Sequence, residues 1–146
     1  MAWVIYPLLK EAMLDTSAAN EVDFEGDDIR LMLVDSTFAY NAAHDFVDDI
    51  VATEVTGTGY ARKALASEAV TLSTATVTFD AADTGLTYSQ SSAGFSDART
   101  AVLYRHVSSS DSANALIAYN TFSANQNNVS GDLTLQFSAS GIFTLA

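Results

Sequence analysis

His44-Asp45, followed by Asp48 and Asp49, is the chain's nearest approach to a catalytic or metal-binding group. An imidazole beside a carboxylate can move protons, and a neutral imidazole binds transition metals. Both uses need a second ligand or an oriented partner at a set distance, and one histidine with adjacent acids supplies none at helical spacing. His44 is therefore expected as a solvated or capping residue. Asp48 and Asp49 are neighbours, so in an extended chain their carboxylates point apart and form no hydrolytic pair. The second histidine, His106, closes an ordinary run of β-forming residues. No catalytic residue is assigned, and the chain is expected not to be an enzyme.

Three further patterns touch on ligands. Glu21, Asp23, Glu25, Asp27 and Asp28 crowd one connector around Gly26. Alternating acids beside a glycine suit calcium, but the EF-hand spacing and its closing acid are missing. Gly57-Thr-Gly59 is a G-x-G without the third glycine, preceding strand and following helix of a phosphate cradle, so a kinked strand or turn accounts for it better. No metal and no cofactor is expected. Tyr40, Tyr60, Tyr88 and Phe95 fall in loop-like stretches, where exposed aromatics could form the sugar-binding row of a carbohydrate-binding module.

Eighteen acidic residues against six basic ones give a formal charge of −12 over 146 residues. Such a surface repels phosphate backbones, which argues against direct nucleic-acid binding, and it complements a basic patch on a protein partner. Arg62 and Lys63 are isolated positives in mid-chain and are read as candidates for pairing with a partner's carboxylates. No run reaches the roughly 18 apolar residues of a membrane span. With no cysteine, packing and backbone ladders must stabilise the fold alone. The apolar start, Met1–Leu9, lacks a basic leader and a convincing small-residue cleavage site, so folding in a cytosol is expected.

The elements that must carry these residues are mostly strands. Arg99–His106 and Ala115–Phe122 are rich in β-branched and aromatic residues and flank a Ser/Asp/Asn-rich loop. Apolar side chains on both parities predict a central hairpin covered on both faces. Ile29–Asp35 is a second buried strand, with Ile29, Leu31 and Leu33 facing one way and Met32 and Val34 the other. Ala69–Asp80 reads as strand–turn–strand, Leu86–Tyr88 as a short strand, and Leu133–Ser138 and Ile142–Leu145 as the last two. Pro7–Leu14 has a helical period with Pro7 in the first turn, and His44–Ile50 suits one or two helical turns. Together these predict one all-β, mainly antiparallel domain, a β-sandwich of jelly-roll-like character spanning residues 1–146. Residues 1–6 are an extended apolar arm. Trp3, Ile5 and Tyr6 either seal the core or dock on a neighbouring subunit, and the arm is expected to be removable without unfolding the domain.

Several landmarks occur in one order: Asp28-Ile-Arg-Leu-Met-Leu-Val-Asp-Ser36, His44-Asp-Phe-Val-Asp-Asp-Ile50, Glu54-Val-Thr-Gly-Thr-Gly-Tyr-Ala61, Val77-Thr-Phe-Asp-Ala-Ala-Asp83, Ala98-Arg-Thr-Ala-Val-Leu-Tyr104, Leu116-Ile-Ala-Tyr119 and Ser140-Gly-Ile-Phe-Thr-Leu-Ala146. This series resembles a family of small structural proteins from tailed bacteriophages and prophages, over nearly the whole chain. The chain departs from it in a longer, Ser/Gly-rich Thr84–Asp97 and in Asn120, where an acid is commoner. The resemblance implies a virion component. With the charge and size, it leads to the expectation of a capsid decoration (cement) protein on the outer head surface. Its partners would be the major capsid protein or other virion proteins, with homo-oligomers a further option, and with no nucleic acid and no membrane. Trp3, Ile5, Tyr6, Arg62 and Lys63 are the candidate interface. A tail, baseplate or fibre-attachment subunit is the alternative, followed by a carbohydrate-binding module. A glycosidase acting on host polysaccharide is the enzyme alternative.

Overall fold

The computed structural model describes residues 2–15 and 17–146; Met1 of the expected arm and Thr16 of the connector lie outside the described residues. The strands are β1 (Val4–Ile5), β2 (Asp28–Val34), β3 (Lys63–Ala64), β4 (Ala69–Ser73), β5 (Thr76–Asp80), β6 (Thr87–Tyr88), β7 (Ala98–His106), β8 (Leu116–Gln126), β9 (Leu133–Thr134) and β10 (Phe143–Leu145), with one α-helix, α1 (Pro7–Ala12). All ladders are antiparallel. The architecture is all-β, as the alternation of apolar residues predicts.

The expected central hairpin is the middle of a five-stranded sheet ordered β1-β8-β7-β2-β3. β7 runs against β2 from Asp28↔His106 to Val34↔Thr100 and against β8 on its other side. Both faces of this sheet are dry, which explains the apolar residues on both parities. Ile29, Leu31, Leu33, Ala101, Leu103 and Ile117 enter the larger core, and Met32, Val34, Val102, Tyr104 and Leu116 enter a smaller one behind the sheet.

Two separate pieces build the second layer of the sandwich: a three-stranded sheet ordered β10-β5-β4 and a ribbon of β6 and β9. Phe79 and Phe143 pair across β5 and β10, and Phe24 from the acidic connector packs on both rings at 4.9 and 5.8 Å. Apolar Phe24 thus anchors a connector whose acids face water. Behind the main sheet the His44–Ile50 stretch forms one 3-10 turn, Val47–Asp49, and a second follows it at Val51–Thr53; Val47 and Ile50 are buried while Asp48 and Asp49 stay exposed.

Two elements are shorter than the sequence suggests. α1 ends at Ala12: it buries Leu9 and Ala12, Met13 still packs on the core from the turn that follows, and Leu14 is exposed. Of Leu133–Ser138 only the first two residues pair with β6. Leu135 N still donates to Leu86 O at 3.1 Å, but Phe137 N donates to the Asp83 carboxylate at 2.6 Å, so a side chain replaces the neighbouring strand. The inward alternation of Leu135 and Phe137 survives without the ladder.

Candidate protein-interaction surface

The apolar arm is part of the sheet. Val4 and Ile5 pair with Tyr119 and Ala118, and Tyr6 N donates to Ile117 O at 3.1 Å. Ile5 and Tyr6 are buried, and the Tyr6 ring packs against the stacked pair of Tyr40 and Tyr119 at centroid distances of 5.9 and 5.4 Å. Burial, then the neighbouring tyrosines, push the Tyr6 hydroxyl well above its ordinary pKa. The reading of Ile5 and Tyr6 as interface residues on a removable arm is therefore corrected. They close the edge of β8, whose backbone would otherwise be unpaired. Trp3 is half-buried against Phe137 at 6.0 Å, and with exposed Ala2 and Val4, the latter 46 % exposed, it is what the described part of the arm presents outside.

Arg62 is likewise committed within the chain. Its Nε and Nη2 donate to Glu54 at 2.8 and 2.6 Å, while Nη1 and Nη2 donate to Asp111 at 2.6 and 3.0 Å. The guanidinium lies 5.4 Å from the centroid of Tyr104. Tyr60 completes the group, donating its hydroxyl to Glu54 at 2.6 Å and accepting from Leu33 N at 3.2 Å. This network ties the Val107–Asn114 loop to the edge of β2. It corrects the expectation that Arg62 is free to meet a partner's carboxylate, because both its forks are occupied. Lys63 sits with its ammonium 5.1 Å from the centroid of Tyr88, its stem half-buried.

Hydrogen bonds from Arg62 hold the Asp111 carboxyl below its ordinary range, and those to Glu54 and Asp111 raise the Arg62 pKa. A carboxyl lowered on folding contributes stability that is present above its unfolded pKa and is lost as pH falls through the folded value. Arg62→Met keeps the stem but leaves two half-buried carboxylates without their counter-charge, Glu54 keeping only Tyr60 and Asp111 only Asn114, at an expected cost of about 1–3 kcal/mol near neutral pH. Urea melts should show that deficit shrinking as pH falls below the ordinary carboxylate range, about 4, where Asp111 takes up its proton. A deficit independent of pH would contradict the ion-pair account.

The expected sugar-binding row is a core cluster instead. Tyr88 and Phe95 are buried, Tyr60 stacks on Tyr88 at 5.8 Å and 11°, and Phe95 meets both rings edge-on. Of the four aromatics only Tyr40 is exposed, and it lies stacked on Tyr119 at 5.0 Å. The G-x-G serves packing: Gly57 has φ +153°, and a Cβ there would come within 2.7 Å of the Gly94 carbonyl carbon. Close by, the buried Asn128 carboxamide accepts from Phe95 N and donates to Thr58 O and Ser89 O, joining three loops.

The acidic groups hold their own turns. Asp23 accepts from Glu25 N and Gly26 N, and Asp27 accepts from Asp23 N. Asp49 accepts from Asp45 N at 2.9 Å, and Asp45 is raised above the usual carboxylate range, chiefly by burial. Half-buried His44 lies 6.5 Å from the Phe38 ring. Among the described residues no three His, Cys, Asp or Glu side chains are grouped to hold a metal ion, and no helix is long and apolar enough to cross a membrane.

What does reach the surface is a strip that sequence reasoning missed. Leu72 pairs with Val77, and Val77 with Leu145, so the three side chains share one face of the outer sheet. That face overhangs the core, leaving Leu72 72 % exposed and Leu145 36 % exposed, with Val70 beside them. The strip continues into a groove of about 490 Å³ between β1 and β10, floored by Trp3, Ile5, Phe143 and Leu145. Alternation with threonine marks Val70 and Leu72 as one face of a strand, but only the length of the layer beneath decides whether that face is covered. Comparison of the chain with protein-family models, with curated proteins and with solved structures finds no match.

Proposed function

We propose that this chain is a structural protein of a tailed-phage virion, a decoration protein that binds the outer surface of the head. The observation that carries the reading is the strip formed by exposed Leu72 and Leu145 with half-buried Val77 between them, continuous with the β1/β10 groove, on a protein of charge −12. Isolated surface apolar residues are ordinary, whereas a contiguous apolar strip beside a groove on an acidic protein suits attachment to another protein. The acidic remainder keeps the module soluble and away from packaged DNA. The resemblance of the ordered landmarks supplies the virion setting. The chain acts by binding and not by turnover, and its partner is the major capsid protein or a neighbouring virion protein.

The test is sedimentation of the purified protein with expanded, undecorated capsids. Saturable co-sedimentation is expected, and Leu72→Asp should abolish it while leaving thermal unfolding unchanged, since that side chain is solvent-facing. Absence of capsid binding, or release of reducing sugar from host capsule by the pure protein, would overturn the reading.

A further inference from the structure

The sandwich leaves its sheet edges unequally protected. On β4 the outward N–H of Val70 is already taken by Glu25 Oε1 at 3.2 Å, so an acid from the connector blunts that edge. The β1/β10 groove has no such guard. Because Tyr6 N bonds to Ile117 O, the alternation of an antiparallel ladder turns the N–H and C=O of Ile5 away from β8. The Trp3 indole N–H is buried without an acceptor. Lys10, in the last turn of α1, lines the groove and forms no ion pair among the described residues. Among the described residues no carboxylate side chain lines it, although eighteen are present in the chain. One groove therefore gathers a free strand edge, an unpaired ammonium and an apolar floor, with the Trp3 ring, whose N–H is turned into the interior, forming part of that floor.

We infer that this groove takes an extended segment of a partner protein, added to β1 as a further strand. Its apolar residues alternate, and it carries an acidic side chain that meets Lys10. Strand addition supplies backbone hydrogen bonds, and the floor formed by Trp3, Phe143 and Leu145 selects the alternate side chains. The carboxylate sets register, because Lys10 is the one cationic side chain lining the groove among the described residues. The inference rests on the docking reading above and names the ligand of one part of that surface.

Trp3 is the only tryptophan in the chain, so its fluorescence reports the groove directly. The full-length protein is panned against a random dodecapeptide library, and enriched peptides are titrated against Trp3 emission. The expected winners alternate apolar residues, carry Asp or Glu, and shift Trp3 emission. Lys10→Glu should weaken them about tenfold, a peptide with Lys in place of its acid should recover affinity for that variant, and Leu145→Asp should abolish binding. An empty selection, or winners indifferent to both variants, would overturn the proposal. So would peptide-free dimerisation lost in Leu145→Asp, which would assign the groove to a second copy. Capsid co-sedimentation that persists in Lys10→Glu alongside a failed selection removes the groove ligand alone, whereas selected binders without capsid binding remove the virion reading alone.

Discussion

A chain beginning at Pro7 is expected to lose about 5 kcal/mol of stability, enough to unfold a domain of ordinary marginal stability. The loss follows from burial: Ile5 and Tyr6 each contribute about 1.5–3 kcal/mol on leaving water, and half-buried Trp3 adds a smaller share. The β1 ladder adds to this, since its removal also exposes the edge of β8. Urea denaturation followed by near-ultraviolet circular dichroism should show the shortened chain unfolded, or its midpoint far below that of the full chain. Tyr6→Ala alone should cost about 3–5 kcal/mol, the range for truncating a large buried aromatic. An unchanged midpoint in the shortened chain would restore the removable arm.

The second large effect centres on Asn128. Its carboxamide oxygen accepts from Phe95 N at 2.8 Å, and its amide donates to Thr58 O at 3.0 Å and to Ser89 O at 2.8 Å. The backbone of the same residue bonds Phe95 O and Ser91 N. Asn128→Ala leaves the buried N–H of Phe95 without an acceptor and removes the donor from two part-buried carbonyls, those of Thr58 and Ser89, an expected cost of about 2–3 kcal/mol. Asn128→Asp should be worse near neutral pH, because an oxygen replaces the amide donor opposite two carbonyl oxygens and a buried charge is added. Acid should partly rescue that variant, since the burial that disfavours the charge raises the introduced carboxyl's pKa on folding. Thermal unfolding across pH, with hydrogen exchange at Phe95, measures both. Loops that stay protected in Asn128→Ala would contradict the hub.

The parts of the fold legible in the sequence are those decided by local pattern. β2 and β7 show apolar residues on both parities because both faces of the central sheet are covered, and β4 and β5 show a clear turn between alternating runs. β1 was not legible as a strand, because two residues pair only where β8 leaves an edge open. Asn128 closes a run of Asn and Gln that reads as turn chemistry, and its burial depends on loops that are remote in sequence. Arg62 looks isolated because Glu54 and Asp111 lie 8 and 49 residues away. Tyr88 and Phe95 look loop-borne because Ser and Gly surround them, yet they fold inward onto Tyr60. The exposed strip was the hardest feature to read. Val70 and Leu72 carry the alternation of a half-buried strand, and the overhang that exposes them is a property of how the two layers meet.

The proposed decoration of a virion head is tested most directly by copy number in intact particles. Quantitative mass spectrometry of purified virions of the encoding phage, scaled to the major capsid protein, should find on the order of hundreds of copies per particle, as repeated sites on a symmetric shell require. About a dozen copies, the number set by a tail or baseplate ring, would contradict head decoration in favour of a tail subunit, and no copies at all would contradict the virion reading itself.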